Sequence, residues 1–297
     1  MREEILCIGD AMVDVIVELG EEINIGSDTQ SKISMIGGGA AANTACWLGS
    51  QKEAVRFVGK VGSDAAGKQF ISDLESFGVS HNDLSSDGAN TGMVVVLVDK
   101  NGERTMFPDS GANRLLSKED LPDLTMARAV LISGYSLYKA EITEVIMEMM
   151  ERIRAAGVPL IFDPASVGPM RSFGRERVLN ALKNVDCVIL NRDEARFLAD
   201  CDDVNQAAIF LHQCAETIVV KLGSDGALGI DKSGVMITSP SVAVEVVDTT
   251  GAGDAFAAGF LPTWLKNRDL KNALDSGNRL ASQCVAILGA RPRVITR

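Results

Sequence analysis

Six short apolar runs, almost unbroken by polar residues, punctuate this chain: ILCIGD (5–10), VRFVGKVG (55–62), AVLISG (129–134), PLIFDP (159–164), CVILN (187–191) and TIVVKLG (217–223). A strand with one face in water alternates apolar and polar side chains, whereas a strand covered on both faces reads as a continuous apolar run. Segments of helical period lie between the runs. One is EITEVIMEMMERIRAA (141–156), which stops at Gly157. Buried strands alternating with helices are joined by crossover connections that lay the strands parallel. The predicted fold is therefore α/β: a doubly wound, mostly parallel sheet flanked by helices.

Two stretches break the rhythm. Residues 12–36 contain MVDVIVEL and then SKISMIG, and residues 92–107 read GMVVVLVDKNGERTMF, in which Asn101-Gly102 marks a hairpin. Strands without helices between them do not join a parallel sheet easily. The two stretches are expected to form a small antiparallel β lid near the C-terminal ends of the first strands, where it would cover a ligand; an edge decoration is the plainer alternative. With no low-complexity segment, long linker or internal repeat, residues 1–297 are expected to be one α/β domain with the lid inserted in it.

Charge and cysteine usage narrow the function classes. The chain carries 29 Lys and Arg against 40 Asp and Glu, a net charge of -11, which is the wrong sign for a general nucleic-acid partner. No run of about 18 apolar residues occurs. The opening MREEILCIGD is too charged for a signal peptide, so a cytoplasmic protein without a membrane partner is expected. Six cysteines, with no Cys-x-x-Cys pair, are expected to be buried and reduced. The two histidines, His81 and His212, lie in no nucleophile motif, so a carboxylate is the expected proton carrier.

Chemistry concentrates in residues 248–256, Asp-Thr-Thr-Gly-Ala-Gly-Asp-Ala-Phe, where a small-residue turn feeds a helical pattern with Phe256, Phe260 and Trp264 on one face. Backbone N–H groups at Gly251, Ala252, Gly253 and Asp254 would begin the helix without intrahelical acceptors, at the positive end of its dipole, and form an anion site. Asp254 could then take a proton from a hydroxyl while those amides stabilise a transferring phosphoryl group. The plain reading is a helix cap and a tight turn. A second glycine turn favours the functional one: Gly37-Gly38-Gly39 again leads from a strand into a helix, with Asn43 in its first turn.

On these two signatures, Gly38, Gly39 and Asn43 in Gly-Gly-x-x-x-Asn and the stretch 248–256, the sequence resembles the ribokinase family, the PfkB-type carbohydrate kinases, over nearly its whole length. The resemblance implies a ribokinase-like α/β domain with a β lid. It also implies transfer of the γ-phosphoryl group of ATP to a hydroxymethyl group of a sugar or nucleoside, with Mg²⁺ required and a monovalent cation such as K⁺ often stimulating. Asp254 would be the base, with Gly251, Ala252 and Gly253 completing the anion hole. Asp14, helped by Gly38, Gly39 and Asn43, would hold sugar hydroxyls. Asn191 and Glu194 match Asn-x-x-Glu, which supports Mg²⁺ and phosphate through water. Lys221, Gly223 and Gly226 fall on the ATP-side loop, and Asn278 near the adenine. Asp248, Thr250 and Gly289 would surround the monovalent cation, although Arg293 stands where a small residue is usual and its guanidinium would compete. A homodimer through the lid, along the apolar stretch 94–98, is also implied.

Departures blur the substrate. Ala40 replaces the Lys that ribokinases place after the paired glycines, and Asp163-Pro164-Ala165 lacks the Asn of fructokinases. Two other patterns are decoys. The near P-loop at 62–68 is followed by Gln69 instead of Ser or Thr, and Ser136-x-x-Lys139 has no companion motifs. The expected function is an ATP-dependent sugar kinase, with a nucleoside kinase or a non-catalytic sugar- or nucleotide-binding regulator on the same fold as alternatives.

Overall fold

The computed structural model describes residues 3–293. The apolar runs become strands of a nine-stranded sheet in the order Met236–Ser239, Ala227–Ile230, Thr217–Lys221, Cys187–Asn191, Leu160–Asp163, Ala127–Ser133, Glu4–Ile8, Val55–Val58, Ser80–His81. From Thr217–Lys221 to Ser80–His81 every neighbouring pair is parallel. The last two strands at the other edge pair antiparallel, because the connection after Lys221 is a single 3-10 turn, Gly223–Asp225, too short for a crossover.

The period of two within each strand explains why the runs are continuous. Ile5 and Cys7 pack into one core layer, with Ala40–Ser50, Ala252–Asn267 and Leu270–Val285, while Leu6 and Ile8 pack into the other, with Thr143–Ala155 and Val204–Leu211. Cys187 and Ile189 divide from Val188 and Leu190 in the same way. Each fully buried Leu or Ile in these layers contributes roughly 1.5–3 kcal/mol.

The lid is a separate four-stranded sheet in the order Ser31–Gly38, Met12–Leu19, Gly92–Val98, Arg104–Asp109. It consists of two antiparallel hairpins joined by a parallel pairing of Met12–Leu19 with Gly92–Val98. That central pair is parallel because the chain returns to the main sheet between the hairpins and leaves it again in the same direction. At the Asn101-Gly102 turn only Gly102 is left-handed (φ +82), and the Asp99 carboxylate accepts the N–H groups of Asn101 and Glu103, both at 2.8 Å. Gly92–Val98 has a neighbour on both sides, so the stretch 94–98 offers no open edge. The edges are Ser31–Gly38 and Arg104–Asp109, with Ile33, Met35 and Phe107 exposed.

Both decoy motifs have structural roles. Asp64 accepts from the Gly67 N–H at 2.8 Å and caps Ala65–Ser76. Ser136 and Lys139 both donate to the buried Asp10 carboxylate, where the chain leaves Glu4–Ile8. All six cysteines are free; Cys7, Cys46, Cys187 and Cys284 are buried, and Cys201 and Cys214 are half-buried. Among the described residues no helix is long and apolar enough to cross a membrane.

The Asp10–Lys139 pair has a testable consequence. Lys139→Met leaves a buried carboxylate unpaired and should cost about 3–5 kcal/mol in urea unfolding. Asp10→Asn in the same chain should recover most of it; a cost unchanged in the double variant would show that the pair is not what the lysine supports.

Candidate active site

Parallel strands bring their C-terminal ends to one edge, so side chains distant in sequence converge there. Asp163, Asn191 and Lys221 are each the last residue of adjacent strands. Between that edge and the inner face of the lid lies a cavity of about 970 Å³.

The helix Ala252–Asn267 opens onto this cavity. Gly251 caps it in the left-handed region (φ +76), and a Cβ there would stand 2.6 Å from Ala290. Among the described residues the N–H groups of Gly251, Gly253 and Asp254 meet no acceptor, whereas that of Ala252 is used in a turn onto the Thr249 carbonyl at 3.3 Å. The expected anion hole therefore has three open amides, not four. Half-buried Asp254 accepts from the Asn43 amide at 2.9 Å through Oδ2. Burial pushes its carboxyl up to about 7, against the Asn43 hydrogen bond and, more weakly, the charges of Lys221 and Arg291.

Lys221 stands beside the open amides, since a Cβ on Gly253 would lie 3.0 Å from its Nζ. Its ammonium pairs with Asp163 Oδ2 at 2.9 Å. Burial alone would favour loss of its proton, but Asp163 and Glu194 hold its pKa above the ordinary lysine value, so it stays charged. Asp163 was not singled out by sequence, yet it lines the cavity; its other oxygen accepts the Ala165 N–H at 2.8 Å, and Ala165 adopts a left-handed φ of +69. Glu194 and Asn191 form a reciprocal cap, with Asn191 N–H to Glu194 Oε2 at 2.8 Å and Glu194 N–H to Asn191 Oδ1 at 2.9 Å. Burial first, and then the Asp163 charge, raises the Glu194 carboxyl.

On the lid side, Asp14 faces the cavity and burial raises its carboxyl to about 6. Gly38 and Gly39 lie behind it. A Cβ at Gly38 would reach within 2.4 Å of Asp14 Oδ1, while Gly39 caps Ala40–Ser50. Asn43 is bound at both ends: its Nδ2 donates to Asp254, and its Oδ1 accepts from Arg291 Nε at 3.1 Å. It thus positions the carboxylate of Asp254 with one N–H and keeps a second N–H on Nδ2. Arg291 also donates to the Gly38 carbonyl at 3.0 Å, and among the described residues its Nη1 has no hydrogen-bond partner but stands 3.9 Å from Asp73 Oδ2.

Gly223, Gly226 and Asn278 line the far end of the cavity. Asn278 Nδ2 donates to Ser239 Oγ at 2.9 Å and to the Pro240 carbonyl at 3.1 Å, leaving Oδ1 as its available acceptor. Val242, Val244 and Val246, every second residue of an irregular segment, face the same space. This wall was missed from sequence, although the alternation of valines at 242, 244 and 246 carries its signal.

The residues expected around a monovalent cation do meet, but as donors. Asp248 Oδ1 accepts the Thr250 N–H at 3.0 Å and its hydroxyl at 2.7 Å, and Oδ2 accepts the Gly289 N–H at 3.0 Å. A hard cation needs converging oxygens. The Asp248 carboxylate that would neutralise an ion is already met by four donors, two from Thr250, one from Gly289 and one from a guanidinium, and the carbonyls of Val285, Thr250 and Ala290 each take part in hydrogen bonds of their own. Arg293 is exposed; the guanidinium that reaches Asp248 is that of Arg104, from the lid. The donor set does not fit a monovalent cation. Among the described residues no cluster of three or more His, Cys, Asp or Glu forms a metal cage either.

A carboxyl with a raised folded pKa opposes folding when ionised, fully above about pH 7 and progressively less as the pH falls toward its unfolded value. Asp254→Asn removes that penalty. Its Tm should exceed the wild-type value at pH 8 by about 2 °C or more, with a smaller gap at pH 5 in scanning calorimetry. A lower Tm at pH 8 would mark Asp254 as a structural cap.

A family model described as pfkB family carbohydrate kinase matches residues 2–297. A relative from Archaeoglobus fulgidus, named an uncharacterized sugar kinase, is 32% identical over 236 residues, which is 79% of this chain and 92% of its own. Among solved structures, adenosine kinase from Sinorhizobium meliloti is similar with a TM-score of 0.89 at 27% identity, covering 98% of this chain and 96% of that one. Arabidopsis thaliana ribokinase complexed with ribose and ATP gives a TM-score of 0.84 at 28% identity, covering 98% and 95%. With one carboxylate at the mouth of an open-amide helix and a second on the lid across the cavity, this chain belongs to the PfkB family of carbohydrate kinases.

Proposed function

We propose that this protein transfers the γ-phosphoryl group of ATP to a primary hydroxyl of a sugar held between Asp14 and Asp254. The observation that carries the reading is the placement of Asp254. It shares one cavity with the open amides of Gly251 and Gly253, the charged Lys221 and the lid. Asp254 takes the hydroxyl proton as the oxygen forms its bond to the γ-phosphorus and the bridging bond to the β-phosphate breaks, releasing ADP. Negative charge gathering on the equatorial oxygens is met by backbone N–H groups and Lys221, which need no reorientation. Mg²⁺ that arrives with the nucleotide would be held by Asp163 and Glu194 through water and would neutralise charge on the phosphates. At the other end, Val242, Val244 and Val246 offer an apolar face to adenine and Asn278 Oδ1 accepts from its amino group. Asp14, an acceptor-only group when ionised, takes two sugar hydroxyls.

A nucleoside as the acceptor is the second reading. Ile16, Ile36, Val94, Val96 and Met106 turn an aliphatic wall into the cavity, against which a base could lie without any aromatic side chain. The likeness to a protein named adenosine kinase points the same way.

ADP release measured across pentoses, hexoses, sugar phosphates and nucleosides tests both readings. Turnover is expected on at least one sugar, and Asp254→Asn should lower kcat by about 10²–10⁴ while ATP still raises the melting temperature. kcat/KM should climb with pH through a limb near 7, where Asp254 ionises. Asn43→Ala should move that limb upward, because it removes the hydrogen bond that favours the ionised form. Turnover on nucleosides alone would select the second reading, and near-normal turnover by Asp254→Asn would remove the assigned base.

A further inference from the structure

The arginine that opens the strand Arg104–Asp109 crosses from the lid to the body of the protein. Its Nη2 stands 3.1 Å from Asp248 Oδ1 and its Nη1 donates to Thr250 Oγ1. The Asp248 side chain is only 6% exposed, so the pairing brings a positive charge to a nearly buried negative one. Every other partner of that carboxylate is a donor: the N–H and hydroxyl of Thr250 and the N–H of Gly289. Thr250 immediately precedes Gly251, so the carboxylate that Arg104 engages fixes the turn from which the anion hole starts.

We propose that Arg104 is the built-in cation of this site. Its guanidinium supplies, from the lid, the charge that a monovalent ion would otherwise bring from solution, and closing the lid completes the turn at 248–251. A guanidinium suits the place better than a spherical ion, because its planar fork bonds Asp248 and Thr250 together and the other donors on that carboxylate are already in place. A lysine ammonium, a point charge with no planar fork, would hold the two partners less rigidly. Arg104 is then a positioning residue, acting on the anion hole through Asp248 and Thr250. The inference rests on the reading of 251–254 as that hole.

The test uses the purified full-length protein in KCl and in choline chloride at equal ionic strength, in two arms. In the thermal arm, without an acceptor, the wild-type melting temperature with and without ATP should not distinguish the two salts. In the kinetic arm, on the best acceptor found, the wild-type rate should not distinguish them either. Arg104→Ala should lower kcat at least about tenfold with a smaller effect on the KM for ATP. Arg104→Lys should recover little of this, and added methylguanidinium should rescue the alanine variant. A K⁺-specific rise in wild-type melting temperature or rate overturns the proposal. So does an Arg104→Ala enzyme with unchanged kcat, or one that methylguanidinium leaves uncorrected. The thermal arm needs no turnover, so an acceptor panel that fails would sink the kinase reading by itself and leave the cation question answered.

Discussion

The site is governed by a surplus of negative charge confined to one cleft. Asp14, Asp163, Glu194 and Asp254 all face a cavity in which the fixed positive charges are Lys221, Arg104, committed to Asp248, and, behind Asn43, Arg291. Carboxylates removed from water and crowded together resist ionising. The cleft eases this by letting Asp14, Glu194 and Asp254 titrate upward while Lys221 stays charged between Asp163 and the helix mouth. A base whose pKa lies near neutrality is suited to taking a proton at that pH and returning it afterward. In the proposed reaction, the same burial that destabilises the fold locally would set the reactivity of Asp254, a trade common where activity needs a strained environment.

The second constraint is that no segment builds the site alone. Asn43 begins its contact with Asp254 from 211 residues away, and Arg291 reaches Asn43 across 248. The chain of contacts from Arg291 through Asn43 to Asp254 orients the Asn43 amide: with Oδ1 held by a guanidinium that can only donate, Nδ2 must face the carboxylate. Trp47 ties the same helix to the Ala290 carbonyl at 2.9 Å, so both sides of the pairing are anchored in packed structure.

These distances separate what could be read from sequence from what could not. The parallel sheet was legible because each strand declares its two-sided burial locally, as Leu6 and Ile8 do against Ile5 and Cys7. The helix mouth was legible because glycines, a carboxylate and the following apolar face sit within one short stretch. Asp163 was not, since a carboxylate at the end of an apolar run acquires meaning only when Lys221 arrives from two strands away. Arg104 and Arg291 were invisible for the same reason: both look like ordinary surface charges until the lid and the C-terminal loop are placed over the helix mouth. The parallel pairing at the centre of the lid also escaped, because local patterning reveals a hairpin but not which hairpins lie side by side.

The lid also limits how the acceptor is recognised. Its inward face is mostly aliphatic, from Ile16, Ile36, Val94, Val96 and Met106, and the position after the paired glycines is Ala40. Asn43 spends one N–H on Asp254 and one lone pair on Arg291, and Arg104 is committed to Asp248. In the reading proposed above, hydroxyl recognition on this side falls on Asp14 and the second N–H of Asn43. A single carboxylate can fix two neighbouring hydroxyls, but an additional one turned toward the aliphatic wall would lose its water without a partner, at a cost of about 1–3 kcal/mol. In that reading, discrimination in this cleft works by rejecting polar groups at the lid as much as by binding them at Asp14, and an acceptor with one apolar face would answer both demands at once.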